Sequence, residues 1–553
     1  MASDFGDAAG RTGIDKKVFW PSVLVVVGLT VPILVAPDAA KVVISAVMSF
    51  VTGNFGWLYL WFAIAVFGGL VWLACSRHGR IKFGDRHTRP DFSTTSWIAM
   101  IFTAGIGGGI MLWGVIEWAY YYQEPPFGAE PRSVEAARWA MAYPLFHWGF
   151  TAWAIYCLPA LALSYTYYVR KRPTLRLSEA CRGVLGSRVD GWLGRVIDAL
   201  FIFGLIGAAG TSLGLEVPII SAGLTHLTSL PAGLGMDVLI TVAWTALFGA
   251  SVYLGLHKGL KVLANVNMWL AGALGVFVLV VGPTVFILDG FTDSVGTLVQ
   301  NFVQMSLSMD PVGGSGFEES WTVFYWAWWV AYAPFVGLFT AKISKGRTVR
   351  ELIVAMCVAG SLGCWIAFAI LGGTAMRLEL DGVVPITQIL AGDGQAAAVV
   401  AAVSALPLGT LALIVYLVLL VVFLATTLDS SAYTMAAVAT RQLRPQDEPA
   451  RWHRVLWAVA LAAVSISLMA VGGLEPLQTL SIITALPLVF VLAIVALSFL
   501  RWIREHPVEA ASPTGISEWD LLDEDGPAPD GAREPAPDPD GRQHSPWPDR
   551  RPV

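Results

Sequence analysis

The sequence predicts an all-α integral membrane protein of twelve transmembrane helices, and three observations predict it. Of its 553 residues 56% are hydrophobic and only 14% charged, against roughly 25% charged in soluble proteins; a water-soluble fold could not hide that much apolar surface. Apolar runs of about 20 residues, long enough as helices to cross a hydrocarbon core of about 30 Å, recur from Val18 to Arg501. The runs are continuous, whereas the strands of membrane barrels are ~10-residue stretches of alternating polarity.

Read between polar breaks, the spans fall near 17–38, 54–75, 95–122, 138–169, 193–223 and 236–256, then 261–289, 319–341, 351–376, 404–436, 453–473 and 476–501. Lysine and arginine in short loops resist translocation and so set orientation. Arg77, Arg80, Lys82, Arg86 and Arg89 follow the second span, and Arg170, Lys171, Arg172 and Arg176 follow the fourth. Later loops of the same parity are also basic, whereas the opposite loops are acidic or nearly uncharged, as with Asp289, Asp293, Asp310, Glu318 and Glu319. Both termini are therefore expected in the cytoplasm, with the chain in the cell (inner) membrane. Segment 1–16 carries charges and no small-residue cleavage site follows the first run, so no cleaved signal is expected.

From His506 to Val553 the composition turns to proline, aspartate, glycine and alanine, with eleven acidic and four basic residues. Such a segment cannot bury enough apolar surface to order itself, and its charge gives it no attraction to anionic lipid. We expect a disordered acidic cytoplasmic tail. The five cysteines form no CxxC pair, no basic stripe suggests nucleic acid, and no HExxH, GxSxG or P-loop pattern stands in a context suited to catalysis. The expected partners are lipid and a solute; no enzyme and no organic cofactor is expected.

The eighth span reads Trp321-Thr-Val-Phe-Tyr325-Trp326-Ala-Trp328-Trp329-Val-Ala-Tyr332. Tyr325, Trp328, Trp329 and Tyr332 stand at i, i+3, i+4 and i+7, so four large rings share one helix face. An interfacial aromatic belt or ordinary core packing is the bland alternative, but Trp328 and Trp329 fall near the middle of the span. Ring faces attract cations that have no protons to donate, by ~0.5 to ~2 kcal/mol or more each. The middle of this span offers no acidic side chain to a primary amine or guanidinium, so a quaternary ammonium is the better guest. His147-Trp148-Gly-Phe150-Thr-Ala-Trp153-Ala-Ile-Tyr156 in the fourth span supplies further rings.

The third span contains Thr103-Ala-Gly105-Ile106-Gly107-Gly108-Gly109. Each glycine weakens a helix by up to about 1 kcal/mol relative to alanine. Two readings stay open: close small-xxx-small packing through Gly105 and Gly109, or a broken helix whose freed amides and carbonyls meet a carboxylate and a small cation. The tenth span holds Phe423-Leu-Ala-Thr426-Thr427-Leu-Asp429-Ser430-Ser431, whose hydroxyls either bond back to the preceding turn or help coordinate a monovalent cation. Asp429 is an intramembrane carboxylate and so either a functional candidate or a group bonded to nearby amides and hydroxyls; Glu117, nearer a span end, need be no more than a vestibule residue.

The run FYWAWW, followed by Pro334-Phe335-Val336-Gly337 and Ile343-Ser344-Lys345-Gly346-Arg347-Thr348, closely resembles the signature of the betaine/carnitine/choline transporter family. The stretch at 147–156, the glycine break, Gly282-Pro283-Thr284 and Gly372-Gly373-Thr374 extend the resemblance over roughly 15–505. It implies a homotrimer and a LeuT-like five-plus-five inverted repeat: two peripheral helices in 17–94, a first repeat in 95–289, an amphipathic connection at 290–318 and a second repeat in 319–505. It also implies that Trp148, Trp153, Tyr156, Trp328, Trp329 and Tyr332 line the substrate pathway, together with Tyr120, Gly105 and Gly107.

By the same resemblance, sodium would be bound by the backbone of Thr103, Ile106 and Phe423 and by the hydroxyls of Thr426 and Thr427. Sodium-independent exchangers of the family carry methionine where Val336 stands and arginine where Asn267 stands; neither substitute is present, which favours symport. Positions aligned with a second sodium site are Leu205 and Ala209, which lack its hydroxyls. Tyr332, Ile116-Glu117 and the tyrosines at 120–122 look more like carnitine/γ-butyrobetaine exchangers, and Gly109 stands where proton-coupled choline carriers have aspartate. The expected function is sodium-coupled import of a small onium osmolyte of the glycine betaine type. Sodium-independent exchange is the alternative, and a channel or a membrane solute sensor is the rival from another class.

Overall fold

The computed structural model describes residues 13–505 apart from 86, 107, 173, 175, 255–256 and 442–447. The expected acidic tail and Gly107 lie outside the described residues. Helices dominate: α1 (Lys16–Val35), α2 (Pro37–Cys75), α3 (Thr94–Ile106), α4 (Gly109–Gln123), α5 (Val134–His147), α6 (Phe150–Ser164), α7 (Trp192–Thr228) and α8 (Leu234–Leu254). There follow α9 (His257–Val281), α10 (Thr284–Leu307), α11 (Phe324–Ile343), α12 (Ser361–Leu380), α13 (Gly409–Val438), α14 (Arg451–Val471) and α15 (Glu475–Glu505). Among the described residues nine helical segments are long and apolar enough to cross a membrane, or eleven if each of two bent pairs counts as one span. The chain is thus a multi-pass membrane protein. Its outer faces carry exposed Trp20, Trp57, Trp61, Trp72 and Trp269, as suits contact with lipid.

Local chemistry explains the boundaries. Asp15 caps α1 through the Lys17 N–H at 3.3 Å, and Ser133 caps α5 through the Ala136 N–H at 3.0 Å. Thr348 and Glu351 form a reciprocal capping box, which satisfies two of the donors a helix start leaves free.

The bends matter most for function. α3 and α4 meet at 63° across the glycine run, which places Gly108 in the joint. At Gly282-Pro283 the segment 266–281 meets α10 at 105°, because proline offers no N–H to continue the ladder. The helix of the seventh span stops at Val281, short of the expected 289, and position 290, where the connection was expected to begin, lies within α10. The fourth span is interrupted between α5 and α6 at Trp148 and Gly149. Two carbonyls freed there are taken up by indoles: Trp365 Nε1 donates to Leu145 O at 2.7 Å and Trp329 Nε1 to His147 O at 3.0 Å.

α6 and α11 pack in close contact at the centre. A Cβ on Gly337 would lie 2.8 Å from Pro159 Cβ and 2.9 Å from the Ala160 nitrogen, so only glycine allows this approach.

Candidate functional site

The interruption at 148–149 turns the Trp148 indole toward α11, where it meets Trp329 edge to face at 5.0 Å and 89° and Trp328 at 6.2 Å and 87°. Tyr156, nearly two turns along α6, stands 4.8 Å from Trp329 at 73°. Trp328 and Tyr332 are 6.5 Å apart. Trp148, Trp328 and Trp329 donate their ring N–H groups to Glu117 Oε2, Ala208 O and His147 O at 2.9, 3.3 and 3.0 Å. The Tyr332 and Ser212 hydroxyls share a hydrogen bond of 3.0 Å. With those polar atoms committed, the rings offer a guest mainly their faces, which suits a cation without protons to donate.

The rings close the inner end of a cavity of about 1180 Å³ whose other end lies among Phe92, Thr95 and Ser96, just after the arginine-rich loop. Trp148, Tyr156, Trp328, Trp329, Tyr332 and Gly105 all contribute to its wall.

Two predicted positions do not. Trp153 is buried as a wedge: a Cβ on Gly105 would lie 2.7 Å from its ring, and a Cβ on Gly360 would also collide with it. Tyr120 accepts a hydrogen bond from Gln395 at 2.8 Å and packs on Trp321 at 4.8 Å, away from the cavity wall. The space beside Gly105 and Gly109 is filled by tryptophan rings, Trp153 against the first and Trp328 and Trp148 against the second. The glycines thus serve both a bend and close approach, but toward indoles, not toward another backbone.

Of the positions tied to sodium, Thr103, Ile106, Thr426 and Thr427 line the same cavity. Phe423 is not in its wall, and its carbonyl accepts the Thr426 hydroxyl at 2.8 Å; the Thr103 hydroxyl bonds back to Ala99 O at 2.8 Å. Asp429 also borders the cavity, but its carboxylate is paired with Arg454 at 2.8 Å. Among the described residues no cluster of three or more histidine, cysteine or acidic side chains could hold a metal.

The vestibule reading of Glu117 is corrected. Glu117 is fully buried, and its carboxylate receives the Tyr121 hydroxyl at 2.8 Å, the Tyr325 hydroxyl at 2.5 Å and the Trp148 indole at 2.9 Å. Tyr121 lies 3.0 Å from His147 Nδ1, and His147 Nε2 lies 3.1 Å from the Thr322 hydroxyl. Glu117 is thereby the anchor of the ring cluster. The i, i+4 spacing of Glu117 and Tyr121 inside an apolar run was the available signal. Glu216, a second buried carboxyl group, went unnoticed although it stands alone among apolar residues of the fifth span.

A family model described as BCCT, betaine/carnitine/choline family transporter, matches residues 17–508, which takes in every membrane helix and the cavity. The chain therefore belongs to the betaine/carnitine/choline transporter family, whose members are membrane carriers of betaine-, carnitine- and choline-type solutes and not enzymes.

Proposed function

We propose that this protein imports a small onium osmolyte of the glycine betaine type by sodium symport through alternating access. The observation that carries the reading is the ring cluster at the inner end of the cavity: Trp148, Trp328 and Trp329 have their N–H groups engaged elsewhere, so what remains for a ligand is quadrupolar and apolar. The bent joint α3–α4 adds backbone amides for the solute's carboxylate. Thr103, Ile106, Thr426 and Thr427 line the same cavity, which supports a coupling cation there, and the uncharged Asn267 and Val336 leave the ion without a built-in substitute. Twelve crossings, both termini in the cytoplasm, a five-plus-five inverted repeat and a homotrimer complete the proposal. In that orientation the cavity mouth beside the basic loop faces the cytoplasm, and the conformation is inward-open.

Sodium would steady α3 against α13, and the solute would gain from the order so imposed; such coupling is reciprocal and typically worth 5- to 150-fold in affinity, about 1–3 kcal/mol. Glycine betaine binding to purified protein, titrated with and without sodium, tests this. The wild type is expected to tighten with sodium, and the double substitution Thr426→Ala, Thr427→Ala to bind with the same weak affinity in either medium. Uptake that proceeds undiminished in sodium-free proteoliposomes would instead establish exchange. The same titration with carnitine, dimethylsulfoniopropionate and ectoine identifies the cargo.

A further inference from the structure

Glu216 belongs neither to the ring cluster nor to the cavity wall. It lies on α7, about 18 Å from the helix end at Thr228 at 1.5 Å per residue, and is fully buried. Neither of its carboxyl oxygens has a hydrogen-bond partner among the described residues, and none of their ion pairs involves it. Its position is specific. A Cβ added to Gly108 would collide with the Glu216 carboxyl group, so this side chain fills the space that glycine leaves open at the α3–α4 joint. One turn earlier on α7, Ser212 lines the cavity and shares its hydrogen bond with Tyr332.

An ionised carboxylate without partners in such a dry place is strongly disfavoured. A proton removes the charge with no further ligands, whereas a metal cation requires a shell of several oxygens. Of the helices packed against α7, α11 carries the hydroxyl of Tyr332 and α13 that of Tyr416. Neither hydroxyl is free for it: Tyr332 is paired with Ser212, and Tyr416 donates to the Met111 carbonyl in the first turn of α4. The joint therefore has, on one side, a carboxyl group seated in its hinge and, on the other, a tyrosine holding its first turn.

We propose that Glu216 is a proton-binding site that controls the α3–α4 joint: as a neutral acid it packs against Gly108 and stabilises the conformation described here, and when its O–H bond breaks and the proton passes to cavity water, the stranded charge drives the joint toward a conformation in which water reaches it. The control of transport rests on the alternating-access reading above; the protonation itself does not.

Two measurements test it on the full-length protein. The first is the infrared carbonyl stretch of a buried neutral carboxylic acid, recorded without solute or sodium: it is expected in the wild type at neutral pH and lost in Glu216→Gln. Its absence from the wild type, or its replacement by a carboxylate band that responds to sodium, overturns the proposal. The second is the distance between spin labels at Ser96 on α3 and Ser430 on α13, both exposed and both lining the cavity, followed as pH is raised. The wild type is expected to leave the described conformation at alkaline pH and Glu216→Gln to remain in it, with glycine betaine binding retained and uptake slowed. An identical pH response in the two proteins overturns the hinge role. Failure of the wild type to bind any onium solute while the infrared band is present defeats the proposed cargo and leaves the proton site standing.

Discussion

Trp329→Ala is expected to weaken glycine betaine binding by at least about 30-fold, the equivalent of roughly 2 kcal/mol for one desolvated cation–ring contact. The effect is large because this ring is central: it meets Trp148 at 5.0 Å and Tyr156 at 4.8 Å, and its indole N–H closes the Leu145–Gly149 interruption through His147 O. Trp328→Ala removes a second face and is expected to act alike, with the two losses not additive because the rings touch. Trp329→Phe separates the contributions, since it keeps a face and loses the N–H. Isothermal titration of purified variants, compared with glycine as a ligand that can donate protons, reads the result. Binding within threefold of wild type in both alanine variants would falsify the aromatic site.

The second large effect is expected at Glu117. In Glu117→Ala three buried donors, the Tyr121 and Tyr325 hydroxyls and the Trp148 indole, lose their acceptor at once. Each unsatisfied group costs about 1–3 kcal/mol, so the melting temperature should fall markedly and onium affinity drop by tenfold or more as Trp148 loses its orientation. Glu117→Gln keeps the volume but turns an NH2 toward donors, and is expected to fall between wild type and alanine. A Glu117→Ala protein that matches wild type in both melting temperature and affinity would show that Trp148 is held by packing alone.

The aromatic face of α11 was legible because a 3.6-residue repeat places Trp328, Trp329 and Tyr332 side by side whatever the helix packs against. The break at Gly108 was legible as a weakness, since a run of glycines is costly in any helix. What filled the spaces beside the glycines was not, because Trp153, Trp148 and Glu216 lie between 39 and 108 positions further along the chain. Trp153 illustrates the limit: it shares a helix with Tyr156, yet the Gly105 and Gly360 contacts turn it into packing.

Composition and the periodicity of apolar runs determined by themselves that this chain lives in lipid as helices and carries rings at mid-depth, because burial in a bilayer is a matter of local hydropathy and length. Which carboxyl groups are satisfied and which are stranded was decided only by tertiary structure. Glu117 and Glu216 are the same residue type in the same kind of apolar run; the first has Tyr121 on its own helix and gains Tyr325 and Trp148 from segments packed against it, whereas among the described residues the second is given no donor.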